Sequence, residues 1–250
     1  MSPAEPFPLP LPPLSLAEKM ELGESPALIL VRLADLATAL ENGEFVPAAR
    51  LSPAELERYR GYRFPKRRLE WLGGRWAAKN AAAMLHPETG PEDWQVESGP
   101  YGRPFYQPLR GCAAGTELSI THSHGLAAAV AVAGHPCGLD LQRVSAVILR
   151  IREKFCHDSE AELLGSGKKP ERLAADLTML WSAKEALRKA LGGHPLTGFL
   201  AMRLEGLEKI AERAWLLTLV TVSGGNVVEH PVATWWLEDF ATALTVAIEE

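Results

Sequence analysis

Cysteine is scarce: Cys112, Cys137 and Cys156 are the only three in 250 residues. They are odd in number and lack C-x-x-C spacing, so the sequence offers neither a disulfide framework nor a zinc knuckle and points to a reducing, cytoplasmic setting. Long apolar runs are missing too; stretches such as Leu126 to Ala133 fall well short of the roughly 20 residues a membrane-spanning helix needs. The N-terminus has no basic segment, and Pro3, Pro6, Pro8, Pro10, Pro12 and Pro13 interrupt it. That argues against an export signal and for an extended, polyproline-like arm over residues 1–26. No G-x-S-x-G elbow occurs, which removes the usual mark of an α/β hydrolase. An excess of positive charge is absent as well, and a net charge of −5 argues against nucleic acid as a partner.

What the chain has is an apolar content of 47 %, enough to bury a core as one large domain or two modest ones. Its charge is uneven. Between residues 60 and 79, Arg60, Arg63, Lys66, Arg67, Arg68, Arg75 and Lys79 stand against Glu70 alone. A basic patch on an acidic chain suits a compact anionic ligand or an acidic protein partner.

The stretch from Trp181 to Lys189 organises the rest. Leu173, Leu177, Leu180, Leu187 and Leu191 recur at helical spacing, which predicts an amphipathic helix. Lys184 falls on the apolar stripe, with Glu185 and Lys189 beside it one turn apart. Two accounts stay open at this point: a lysine that snorkels out beside an ordinary surface ion pair, or a helix bordering a cleft where a carboxylate holds a metal ion and two lysines face phosphate. Upstream, Cys137 to Val144 alternates as a strand and puts Asp140 and Gln142 on one face. An Asp in an apolar strand is costly unless paired, coordinated or capping a turn.

Ala27 to Leu33 reads as the first strand. Ser52, Pro53 and Glu55 spell a helix start with a capping box, on a helix that carries Arg58. A second helix over Lys66 to Leu85 turns Leu69, Leu72, Trp76 and Met84 inward, leaving Arg68, Arg75 and Lys79 as a stripe that fits a phosphate wall, a docking face or a plain wet surface. Tyr101-Gly102-Arg103-Pro104 is turn chemistry. Strands at Glu117–Thr121 and Leu126–Ala133 are joined by His122-Ser123-His124-Gly125. The central helix stops at Gly192-Gly193 with Pro195 following, and strands follow at Trp215–Val222, Val232–Trp236 and Ala243–Ile248. Each half reads as strand, helix, then several strands, with no clear residue-level repeat and a boundary near residue 135.

Together these elements resemble the 4′-phosphopantetheinyl transferases, in particular the large monomeric class that activates carrier proteins of nonribosomal peptide, polyketide and fatty-acid synthesis. Gly138-Leu139-Asp140-Leu141-Gln142 is similar to that family's G-[IV]-D-[ILV]-E, and Trp181 to Lys189 to its W-x-x-K-E-[AS]-x-x-K. Phe155 and Glu160 resemble its F-x-x-x-x-E, Ile120-Thr121-His122-Ser123 its N-[IL]-S-H-S, and Gly102-Arg103-Pro104 its G-[KR]-P.

The resemblance implies an α+β fold: after the arm, subdomains over 27–135 and 136–250 related by a pseudo-twofold axis, each with a long helix packed on an antiparallel sheet, and a ligand cleft between them. It implies transfer of the 4′-phosphopantetheine arm from coenzyme A to a serine of an apo acyl or peptidyl carrier protein, with release of adenosine 3′,5′-bisphosphate. Mg²⁺ would be held by Asp140, Glu185 and, where the family places a second acid, Gln142. Lys184, Lys189 and His122 would neutralise phosphates, Arg58 would grip the 3′-phosphate, and Arg103 would anchor the nucleotide end. Glu185 would take the serine proton, with Lys189 and His122 completing the catalytic set. The implied protein is a cytoplasmic monomer with no nucleic-acid or membrane partner. Gln142 leaves one alternative, a catalytically impaired coenzyme A or carrier-protein binding module.

Overall fold

The computed structural model describes residues 6–8, 25–109, 115–165, 169–193 and 196–247. Cys112, Pro195, Ile248 and most of the proline-rich arm lie outside the described residues. The rest falls into two compact units, one up to His135 and one from Pro136 onward.

In the first unit, β1 (Phe7–Pro8) runs antiparallel to β2 (Ala27–Arg32), with Phe7 opposite Leu30. Helices α1 (Leu33–Glu41), α2 (Pro53–Gly61) and α3 (Pro65–Leu85) follow, then the hairpin β3 (Trp94–Ser98) and β4 (Pro104–Pro108), and strands β5 (Thr116–Ser123) and β6 (Leu126–Ala133). The antiparallel sheet has the order β1-β2-β6-β5. Helix α3 covers it with Leu72, Ala77, Ala78 and Ala81, all fully buried. The contact is tight: a Cβ on Gly73 would lie 2.4 Å from Leu33 Cδ2.

The second unit comprises β7 (Cys137–Arg143), the short α4 (Asp158–Leu163), the long α5 (Pro170–Leu191), then β8 (Arg203–Ala211), β9 (Ala214–Ser223), β10 (Asn226–Leu237) and β11 (Phe240–Val246). Its antiparallel sheet has the order β7-β11-β10-β9-β8, and α5 lies on it through Leu177, Leu180, Ala183 and Leu187. In both units the first long strand pairs with the last and the penultimate strand comes next, an α+β arrangement of one long helix on an antiparallel sheet. No helix among the described residues is long and apolar enough to cross a membrane.

Several elements depart from the pattern reading. Leu33 opens α1 rather than ending the strand, because Leu33, Leu36 and Ala39 form a helical inner face. Strands β3, β4 and β8 lie outside the pattern reading: β3 and β4 are only five residues each, and β8 leaves most of its side chains exposed or half-buried. Met84, expected inward, is 50 % exposed. Lys79 and Arg75 are not a wet stripe either, being 0 % and 7 % exposed.

Burial of Lys79 reveals a residue-level repeat that the sequence reading did not find. Lys79 Nζ lies 2.7 Å from Glu55 Oε2, both buried. Glu55 also closes the α2 capping box with Ser52 and accepts from Val96 N on β3 at 3.0 Å. In the second unit Lys184 Nζ lies 2.7 Å from Glu160 Oε1, both 0 % exposed. Glu160 accepts from His157 N at the start of α4 and from Leu204 N on β8. The lysine follows the glutamate by 24 residues in each unit. In register with the two lysines, Trp76-Ala77-Ala78-Lys79-Asn80 reappears as Trp181-Ser182-Ala183-Lys184-Glu185. One buried ion pair thus ties short helix, long helix and the next strand in each half. Such a pair stabilises little in itself, but removing one partner strands a charge in the interior.

Candidate functional site

In the second unit the geometry begins with Gly138. A Cβ there would sit 1.8 Å from the Ala186 carbonyl oxygen and 2.9 Å from Ala190 N, so only a glycine lets β7 lie directly on the backbone of α5. That approach brings the polar edge of the strand to the polar edge of the helix. Lys189 Nζ donates to Leu139 O and to Asp140 Oδ1, both at 2.8 Å. Glu185, one turn before Lys189, is close enough for Asp140 to act on its charge. Burial first, and then the Asp140 carboxylate, push the Glu185 carboxyl above the usual range, against the pull of Lys189 and Arg188. Arg188 Nη1 stands 3.8 Å from Glu185 Oε1, with its guanidinium over the Phe199 ring.

A buried aspartate and a half-buried glutamate, with the charge of the first acting on the second, form a donor set suited to a hard divalent cation. Among the described residues no cluster of three or more His, Cys, Asp or Glu side chains forms. Mg²⁺, which keeps several waters and takes one or two carboxylates plus substrate phosphates, fits a pair of acids better than a closed cage would. Gln142, two residues along the same face of β7, is half-buried, and its amide nitrogen points to Arg143 O at 3.4 Å.

Lys184 does something other than the family pattern implied. Its ammonium donates to Phe155 O at 2.7 Å and Phe199 O at 3.3 Å besides meeting Glu160, which uses all three of its hydrogens. Burial pulls its pKa down, while the Glu160 carboxylate holds it up. With no hydrogen left and no exposed surface, Lys184 is in no position to neutralise a phosphate; it fixes α5. Trp181 belongs to the same hub, edge-on to Phe155 at 5.1 Å and tilted against Phe199 at 4.7 Å. So four motif residues, Phe155, Glu160, Trp181 and Lys184, hold the helix, while Asp140, Glu185 and Lys189 share the polar edge of β7 and α5.

The first unit carries a separate cavity of about 280 Å³, lined by residues that include Arg58, Arg67, Trp71, Arg75, Ser98 and His122. The structure thus joins Arg58 and His122, which the sequence places far apart. His122 projects from the exposed face of β5 beside Ile120, which shares the lining. Arg103 stands apart from the lining, pairing with Glu117 at 3.3 Å and 41 % exposed, although its neighbours Gly102 and Pro104 line the cavity. Trp71 was not singled out by the sequence reading, and Arg75 only as part of a basic stripe with no role of its own; the signal available was their spacing of one turn on a basic helix.

The family model for the 4′-phosphopantetheinyl transferase superfamily matches residues 136–244, the stretch that holds Asp140, Glu185 and Lys189. A holo-[acyl-carrier-protein] synthase of Lactococcus lactis subsp. lactis (strain IL1403) is 32 % identical over 101 residues, covering 38 % of this chain and 82 % of the relative. Its counterpart in Lactococcus lactis subsp. cremoris (strain SK11) is 31 % identical over the same length. The 4′-phosphopantetheinyl transferase gsp of Aneurinibacillus migulanus is 32 % identical over 92 residues, 37 % of this chain and 35 % of that relative. With a relative this similar matched over most of its length, and with the buried glycine-mediated packing that sets an aspartate against a glutamate-lysine pair, the chain belongs to the 4′-phosphopantetheinyl transferase superfamily and is an enzyme of phosphopantetheine transfer.

Proposed function

We propose that the protein moves the 4′-phosphopantetheine arm of coenzyme A onto a serine of an apo acyl or peptidyl carrier protein, releasing adenosine 3′,5′-bisphosphate in a Mg²⁺-dependent reaction. The observation that carries this reading is the contact of Lys189 with Asp140, with Glu185 inside the same electrostatic field. The serine oxygen forms a bond to the β-phosphorus, the bridging bond to the adenylate-side phosphate breaks, and its electron pair leaves with adenosine 3′,5′-bisphosphate. Glu185, whose carboxyl binds a proton more readily than an ordinary glutamate, accepts the serine proton. Lys189 sets an ammonium beside the oxygens that gain charge. Asp140, Glu185 and the Gln142 amide oxygen would hold Mg²⁺, which when bound neutralises pyrophosphate oxygens. In the first unit Arg58 and His122, with Arg103 outside the cavity lining, are assigned to the nucleotide end.

The same reading has a cytoplasmic monomer acting on a protein partner rather than on nucleic acid or membrane; the net charge of −5 supports it. The test is to incubate the protein with coenzyme A, Mg²⁺ and an apo carrier protein and weigh the carrier by mass spectrometry. The expected result is a gain of one phosphopantetheine arm, lost in Asp140→Asn and Glu185→Gln. A carrier of unchanged mass beside wild-type protein overturns the reading.

A further inference from the structure

The charges of Asp140, Lys189 and Arg188 all act on Glu185. Asp140 and Lys189 have roles in the transfer proposed above, and Arg188 has none. It occupies an unspecified position of the W-x-x-K-E-[AS]-x-x-K motif, so the motif itself calls for no cation there. In the last turn of α5 a cation suits the helix dipole, but a residue serving only the dipole is free to extend into solvent. The Arg188 side chain is instead 28 % exposed, its Nε is buried with no acceptor among the described residues, and its guanidinium lies over the Phe199 ring at 4.9 Å. Phe199 is itself fixed, its ring tilted against Trp181 at 4.7 Å and its carbonyl accepting from Lys184. The hub that anchors α5 therefore also holds a guanidinium with Nη1 3.8 Å from Glu185 Oε1.

The charges along this edge balance. Asp140 and Glu185 bring two negative charges, Lys189 and Arg188 two positive ones, and Gln142 is neutral where the related motif has a second acid. Asp140 has its cation at 2.8 Å and Glu185 has one at 3.8 Å, so a divalent ion entering alone meets carboxylates that are already compensated. Resting on the Mg²⁺ reading above, we propose that Arg188 is a positioning residue that competes with the divalent cation for the Glu185 carboxylate. It holds Glu185 in the resting protein, keeps metal affinity low there, and leaves the phosphates of the co-substrate to supply the negative charge that draws the ion in. Its charge pulls the Glu185 carboxyl down, against burial and Asp140, which is the direction expected of a cation that satisfies the carboxylate before any metal does.

The test is Mn²⁺ binding to the full-length protein in the absence of coenzyme A, with the free ion counted by electron paramagnetic resonance. Arg188→Met is expected to bind Mn²⁺ roughly five- to twentyfold more tightly than wild type, the scale of removing one charge of a partly exposed pair that faces a doubly charged ion. Arg188→Lys, which keeps the charge, is expected to stay within about threefold of wild type. A merely structural arginine gives the opposite sign, because loosening α5 separates Glu185 from Asp140 and weakens the site. Unchanged or weaker Mn²⁺ binding in Arg188→Met overturns the proposal, as does Arg188→Lys binding as tightly as Arg188→Met. Should circular dichroism show Arg188→Met unfolded, Arg188→Gln, neutral but still able to pack an amide on the Phe199 ring, is judged by the same criteria. A carrier that gains its arm while neutral variants bind Mn²⁺ no more tightly removes the competition and leaves the function standing; a carrier of unchanged mass removes the function whatever the Mn²⁺ titration shows.

Discussion

Lys184 and Lys189 lie five positions apart on one helix in opposite surroundings, one ammonium sealed and the other at a polar edge. Lys184→Met leaves the Glu160 charge in the interior without its partner, and is expected to cost about 3–5 kcal/mol, read as a lower midpoint in urea unfolding. Lys189, its side chain 31 % exposed, is expected to cost far less stability on change to methionine but to lose most transfer, as judged by single-turnover assay. Glu185 gives a pH prediction of definite sign. Its pKa in the folded protein is raised, so the stability it contributes is complete below the unfolded value, near 4.5, and is lost as pH climbs through the raised value. At neutral pH the ionised side chain therefore works against the fold. Glu185→Gln should melt above wild type at pH 7 with divalent cations chelated, the gap closing toward pH 4, while transfer is abolished; a lower melting temperature at pH 7 contradicts the argument. At Gln142, restoring a carboxylate with Gln142→Glu should leave transfer at least as fast and lower the Mg²⁺ concentration required for half-maximal rate, since a charged oxygen is the better ligand.

At the level of elements, the contact between β7 and α5 decides whether the acids meet. Gly138→Ala places a methyl carbon inside the Ala186 carbonyl, so strand or helix must retreat. A loss of roughly 1–3 kcal/mol together with a large loss of transfer is expected, checked by thermal melts and the carrier-mass assay; a variant with wild-type transfer shows the close approach to be dispensable. Elements with a clear period were legible beforehand: the capping box at Ser52 and Glu55, the stripe of α5, and the alternation of β7. Those without one were not. Strand β8 exposes its charged side chains, and the alternation of β3, W-Q-V-E-S, lasts only five residues, so both lean on neighbouring strands for their order.

Over the whole molecule, two units use one structural device and only the second carries the acidic pair. Where Glu185 and Lys189 stand on α5, the matching positions of α3 hold Asn80 and Met84. Lys79→Met should therefore destabilise its unit much as Lys184→Met does the other. Hydrogen exchange is the measurement: acceleration is expected over residues 27–133 for Lys79→Met and over 137–246 for Lys184→Met, and a reversed or uniform pattern would count against two self-contained cores.

By itself the sequence determined the long helices and the alternating strands, and its resemblance to a family supplied the α+β class and the proposal of Asp140, Glu185 and Lys189, because periodicity, capping grammar and motif spacing are local properties of the chain. It left the fate of its lysines open, since a lysine on an apolar stripe can snorkel, meet phosphate or pair in the core, and the choice depends on a carboxylate 24 residues away. Only the tertiary structure decided that Lys184 pairs with Glu160 and Lys79 with Glu55, and that Arg75 is buried at a cavity. Burial and charge pairing are made by residues distant in sequence, and the packing that brings them together is what sets their energies.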